Sequence, residues 1–252
     1  MAVAWSIFRA QRGRRPAPQG SGSVDHSALV PILGNLASGG VPALANSRLA
    51  LAAYRDQLAA VDPDTLTADA ALAYWLNLYN AGALDLAAET FHDQAASVLR
   101  LPGGFSRPWV AVDGESLSLD DIEHGKIRRF RDPRIHAALV CGSASCPTLR
   151  LEPYDDAVID EQLDAQLRSF LATGGAIADH SDGVLRLSRV FRWYGGDFIR
   201  PQRMPTWLPA GKKRLVAVLA PWFSPEVSSW VRDASPGVDF QPYDWSLACA
   251  VR

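Results

Sequence analysis

At 252 residues, with 48% hydrophobic and 21% charged side chains, the chain is long enough to bury a substantial core. Lys plus Arg number 25 against 27 for Asp plus Glu, a formal charge of -2 that removes the electrostatic argument for a nucleic-acid partner. The 3 cysteines are too few for a disulfide-dense scaffold, and the most apolar stretches are broken by Asn, Asp, Arg or Pro, so no membrane-crossing segment is expected.

The first residues, MAVAWSIFRAQRGRRPAPQGSGS, place an apolar patch ahead of the basic residues, the reverse of a secretory signal, so a cytoplasmic location is expected. Ala, Pro, Gly, Ser and Arg dominate positions 10 to 23 and offer little to pack. Residues 1–23 therefore read as a flexible tail and 24–252 as a single globular domain.

Two amphipathic stretches come next, around His26 to Leu36 and from Ser47 to Leu58, the second with Leu49, Ala53, Tyr54 and Leu58 on one helical face. Asp62-Pro63-Asp64 marks a turn. Thr67 can cap a long helix to about Glu89, whose buried stripe is Leu72, Trp75, Leu76, Tyr79, Ala83 and Leu86. A hairpin is expected over Trp109 to Leu119, turning at Asp113-Gly114, and Ser118 or Asp120 can then cap a helix from Asp121 to Phe130. Pro133 ends that element, and Arg134 to Val140 reads as a buried strand.

Ile159, Leu163, Leu167 and Phe170 mark a further helix, and Ser181-Asp182-Gly183 separates strands at Ala176 to Ala178 and Val184 to Leu187. Helices around Val190 to Phe198 and Lys213 to Leu219 and a strand-like Val238 to Leu247 complete the chain. The fold class this predicts is α+β, a helix-rich single domain around a small, mainly antiparallel sheet.

The most chemically loaded segment is HAALVCGSASCP, His136 to Pro147. Gly142, Ser143 and Ser145 lie in a turn whose backbone N–H groups could converge on an anion or a developing oxyanion. With Pro147 opening a helical turn, Cys146 would be its N-cap, where the positive helix end favours a thiolate. Cys141 is the other candidate nucleophile, followed by Gly142, which permits close approach of a substrate.

In a regular strand the five-residue spacing puts His136 and Cys141 on opposite faces, which makes His124 an equal contender for the base. Asn77 and Asn80 can orient an imidazole or donate to an oxyanion, or instead hydrogen-bond backbone and fix the placement of their helix. The segment Ser188 to Phe198 can line a pocket with Trp193 and Tyr194, or simply pack as an amphipathic helix.

In order along the chain, Trp75-Leu-Asn-Leu-Tyr-Asn-Ala81, Leu119-Asp-Asp-Ile-Glu-His124, Asp132-Pro-Arg-Ile-His136, Val140-Cys-Gly-Ser-Ala-Ser-Cys-Pro147, Phe191-Arg-Trp-Tyr194 and Tyr243-Asp-Trp245 resemble the domain-of-unknown-function family 547. The resemblance implies that His136, Cys141, Cys146 and the Asn77, Asn80 pair belong to shared motifs, without implying a reaction. Some relatives carry Ser at the second cysteine, which shifts weight toward Cys141. Many relatives are exported, so a different start would make this chain an exported form.

Three functions compete. The first is a thiol-dependent hydrolase or acyltransferase with Cys141 or Cys146 as nucleophile, His136 or His124 as base, and Asn77 and Asn80 orienting groups. The second is a noncatalytic domain that binds a small molecule or peptide and whose cysteines only pack. The third is a Cys/His metal site, although Cys-x4-Cys is wider than the common zinc knuckle and no second half is present, so neither metal nor cofactor is expected.

Overall fold

Three helices build the first part of the molecule: α1 (Val30–Ala45), α2 (Arg48–Ala59) and α3 (Ala68–His92). Thr67 caps α3, its extended backbone letting the hydroxyl accept the Ala70 N–H at 3.1 Å. The expected stripe on α3 is buried, and so is almost every other side chain from Ala70 to Ala88, because α1 and α2 both pack against it. This is the core helix of its unit.

The computed structural model describes residues 8–251. It is helix-rich α+β, and the described chain divides into two compact units, one made of 8–130, 139–159 and 245–251, the other of 131–138 and 160–244. The first unit holds the hairpin of β1 (Val110–Val112) and β2 (Glu115–Leu117). Asp113 at φ 48 and Gly114 at φ 73 supply the two left-handed residues that a tight hairpin turn needs. Ser118 and Asp121 cap each other reciprocally, but the chain then winds into a π-helical turn, Asp121–Lys126, and a 3-10 turn, Ile127–Phe130, in place of one regular helix.

In the second unit lie the four-residue α4 (Ile135–Ala138), α5 (Ile159–Phe170) from its second residue on, α6 (Arg189–Ile199), α7 (Lys212–Leu219) and α8 (Pro225–Ala234). Its sheet runs β3 (Ala176–Asp179), β4 (Val184–Leu187), β5 (Gly237–Phe240), with an antiparallel first pairing and a parallel second one. The core of this unit gathers Leu167 and Phe170 from α5, Leu185 and Leu187 from β4, Phe191 and Phe198 from α6, and Leu215 and Leu219 from α7.

Two expectations are corrected here. The described part of the presumed tail is pinned to the first unit: Ala10 is buried, Arg9 pairs with Asp121, Lys126 donates to Arg14 O at 2.7 Å, and Gly22 bridges Leu66. Backbone carbonyls and arginines supply the contacts that apolar composition does not; residues 1–7 lie outside the described residues. On α2 the buried face is Leu51, Tyr54 and Leu58, while Leu49 is 88% exposed, so the apolar stripe is rotated from the expected one.

Ser27–Ala45, a 3-10 turn running into α1, is 19 residues long and apolar enough by length and composition to cross a membrane, contrary to the expectation that no stretch would be. In the folded unit its Leu29, Ile32, Leu33, Leu36, Val41 and Leu44 are buried, and Gly40 at φ 64 kinks it. Asn35 interrupts the run and hides it from a sequence reading, yet one polar residue does little to the mean hydropathy of such a window.

His26 is buried beside α2, where its Nδ1 lies 2.6 Å from the Tyr54 hydroxyl. Burial lowers its pKa from 6.5 to about 4. Below pH 6.5 the unfolded chain takes up a proton that the folded one refuses, so this group's contribution is present above 6.5 and lost as the pH falls toward 4. Urea midpoints at pH 7 and pH 4.5 should differ by up to about 3 kcal/mol of stability from this group. His26→Phe should narrow that difference, and an unchanged pH dependence would contradict the assignment.

Candidate functional site

The thiol loop is anchored on α3. Asn80 Oδ1 accepts the Val140 N–H at 3.2 Å, immediately before Cys141. Asn77 Oδ1 accepts the Tyr154 N–H at 2.9 Å while its Nδ2 donates to Tyr154 O at 2.8 Å, on the far side of the loop. In these bonds the two buried amides clamp backbone.

The predicted strand from Arg134 to Val140 does not form. Asp132 Oδ1 accepts the Arg134 N–H at 2.9 Å, and Pro133 comes directly after that capping Asp, so the segment starts a helical turn, α4. Asp-Pro stops one helix and equally well begins another, and the parity argument separating His136 from Cys141 therefore has no strand to rest on. No helix starts at Pro147 either, so Cys146 is not a helix N-cap.

Instead, the loop is laced by the end of the chain. Ser143 bridges Leu247, Ala144 N–H donates to Ser246 O at 3.0 Å, Ala248 N–H to Gly142 O at 3.1 Å, and Leu149 N–H to Ala250 O at 2.9 Å. Cys146 N–H closes the turn on Ser143 O at 3.0 Å. Two amides that an anion-cradling turn would offer, those of Ala144 and Cys146, are therefore committed to carbonyls. Gly142 sits at φ 73, and a Cβ there would meet Val98 Cγ1 at 3.0 Å, so the core of the unit packs closely against this residue.

All three cysteines are free thiols and partly exposed. Cys146 Sγ accepts the Cys141 N–H at 2.8 Å, and Cys141 Sγ lies 3.0 Å from Ser143 Oγ. A cavity of about 60 Å³ is lined by Cys146 and Cys249 together with Gly142, Ser143, Thr148 and Leu149. Desolvation, helped by the neighbouring Cys141, pushes the Cys249 thiol from 9.0 up to about 12. Ser145 is half-buried on the same turn.

Both candidate histidines are buried in polar clusters. His124 is buried on the π-helical turn, where its Nδ1 lies 3.2 Å from Arg128 Nη1 and 3.4 Å from Glu123 Oε1.

In the second unit, His136 Nε2 lies 2.9 Å from Asp197 Oδ2, Asp197 Oδ1 accepts the Thr206 N–H at 2.9 Å, and Tyr194 stacks on the imidazole at 4.0 Å. Both side chains of this pair are essentially inaccessible, at 1% and 0% exposure. Tyr194 thus serves the packing of His136, and Trp193, 44% exposed, tilts against Tyr243.

Two residues of these constellations escape a sequence reading. Asp197 carries a signal: it falls on the face of α6 that buries Val190 and Phe198, and a carboxylate there requires a partner. Cys249 carries none, because only the long-range pairing of the chain end brings it to the loop. Among the described residues no group of three or more His, Cys, Asp or Glu side chains is placed to hold a metal ion.

These observations define a helix-rich α+β protein with a free-thiol loop on a buried amide-bearing helix. Residues 63–171 match the family described as "Protein of unknown function, DUF547", which bears out the resemblance over this segment, from the turn before α3 through the thiol loop to the end of α5. No curated protein and no solved structure matches the chain.

Proposed function

We propose that the protein is a thiol-dependent hydrolase or acyltransferase in which Cys146 is the attacking sulfur. The observation that carries this reading is the Cys141 N–H aimed at Cys146 Sγ beside the small cavity. A donor at that position stabilises negative charge on sulfur, the nucleophilic form. Cys141 is the weaker candidate, since its sulfur faces Ser143 Oγ and it is absent from the cavity lining. The cavity is far smaller than the roughly 300–1,000 Å³ of sites that enclose a drug-sized ligand, so only the reactive end of a substrate, a small acyl group, would enter.

The test is to trap the acyl-enzyme with a short-chain activated thioester. Acylation is expected on the tryptic peptide holding Cys146, and turnover should fall at least about a hundredfold in Cys146→Ala. Turnover unchanged in that variant would end the proposal.

A second reading, noncatalytic binding of a small molecule or peptide, is favoured by one observation: a shallow groove of about 600 Å³ lined by Pro42, Ala45, Phe91, His92, Gln94 and Leu247. It expects Phe91→Ser to weaken capture of a hydrophobic dye while Cys146→Ala leaves capture intact; the opposite pattern would remove it.

A further inference from the structure

We propose that Cys141 and Cys146 form a thiol–disulfide exchange pair that closes on itself at the expense of a low-molecular-weight disulfide. Cys146 Sγ already lies 2.8 Å from the Cys141 nitrogen, hence within about 4.3 Å of the Cys141 Cα once the N–Cα bond is added. The turn closed by Cys146 N–H on Ser143 O holds the two residues face to face. Cys141 Sγ lies 3.0 Å from Ser143 Oγ, a contact that closure of the pair would give up.

The exchange proceeds in two displacements. Cys146 thiolate attacks one sulfur of the small disulfide; a Cys146 mixed disulfide forms, the original S–S bond breaks, and one small thiolate leaves. Cys141 gives its proton to water and its sulfur attacks Cys146 Sγ, forming the internal disulfide and expelling the second small thiolate. The protein loses two electrons and two protons, and the small disulfide becomes two thiols.

The cavity beside Cys146 offers room for the entering sulfur and its first carbons. Cys249 borders the same cavity, but desolvation keeps its thiol protonated at neutral pH, so it is not the resolving group. The exchange shares with the proposed function only the reactivity of Cys146, and oxidation of the pair would withdraw the attacking sulfur.

The experiment uses the full chain treated with glutathione disulfide, acid-quenched and digested with trypsin. Cleavage after Arg134 and Arg150 leaves Cys141 and Cys146 in one peptide, while Cys249 lies in the peptide after Arg232. The expected product is the peptide of 135–150 lighter by two hydrogens, in the wild type and equally in Cys249→Ser. Cys141→Ser should stop at a glutathione adduct on Cys146.

A stable adduct on Cys146 in the wild type, a link to the Cys249 peptide, or no change would each overturn the inference. Iodoacetamide labelling of the reduced protein separates the two proposals. Cys146 that alkylates but never closes defeats this inference alone, and Cys146 inert to both reagents defeats both.

Discussion

Replacing Asp197 by alanine is expected to destabilise the protein by about 2–5 kcal/mol, at about 1–3 kcal/mol for each of the two buried hydrogen bonds it removes. The carboxylate has two duties at zero exposure, accepting from the Thr206 amide at Oδ1 and facing His136 Nε2 at Oδ2. Its loss removes both of these bonds. Asp197→Asn keeps an acceptor for Thr206, and its amide can donate to the other imidazole tautomer, so a smaller loss is expected. Urea denaturation of the two variants checks this, and a cost below about 1 kcal/mol for Asp197→Ala would show that the pair is not buried as described.

Asn77→Ala is the second large effect. The side chain satisfies both the N–H and the C=O of Tyr154, and alanine leaves two buried backbone groups without that partner. At about 1–3 kcal/mol for each, a loss of about 2–5 kcal/mol is expected, with faster hydrogen exchange at the Tyr154 amide. Asn77→Asp, which can accept but not donate, should also lose stability, because it buries an added charge. Exchange at Tyr154 unaltered in Asn77→Ala would contradict the clamp.

Features decided by local chemistry were legible in the sequence. Thr67 caps α3 as expected, its hydroxyl accepting the Ala70 amide, Ser188 caps α6 in the same way through the Val190 amide, and Asp113-Gly114 turns the hairpin. Ser224-Pro225-Glu226 carries the same kind of start signal, a capping hydroxyl followed by Pro and an acid, and α8, which was not expected, begins there.

The site was legible in composition and not in geometry. Asp132-Pro133 is ambiguous between stop and start, and only the bond from Asp132 to the Arg134 amide decides it for helix. The partners of His136 and of the thiol loop come from distant segments, Asp197 on α6 and Ser246 to Ala250 at the chain end. Local periodicity holds no record of such pairings. Asn77 and Asn80 show the opposite case: two amides on a buried helix announced that backbone partners were needed, and Tyr154 and Val140 supply them.

In the proposed function the loop presents Cys146 as the reactive thiol. Iodoacetamide labelling of the native protein near neutral pH, followed residue by residue, tests it most directly. Cys146 should be alkylated first and Cys249, with its thiol held protonated, last. Labelling of Cys146 no faster than Cys249, or only after denaturation, would contradict the account.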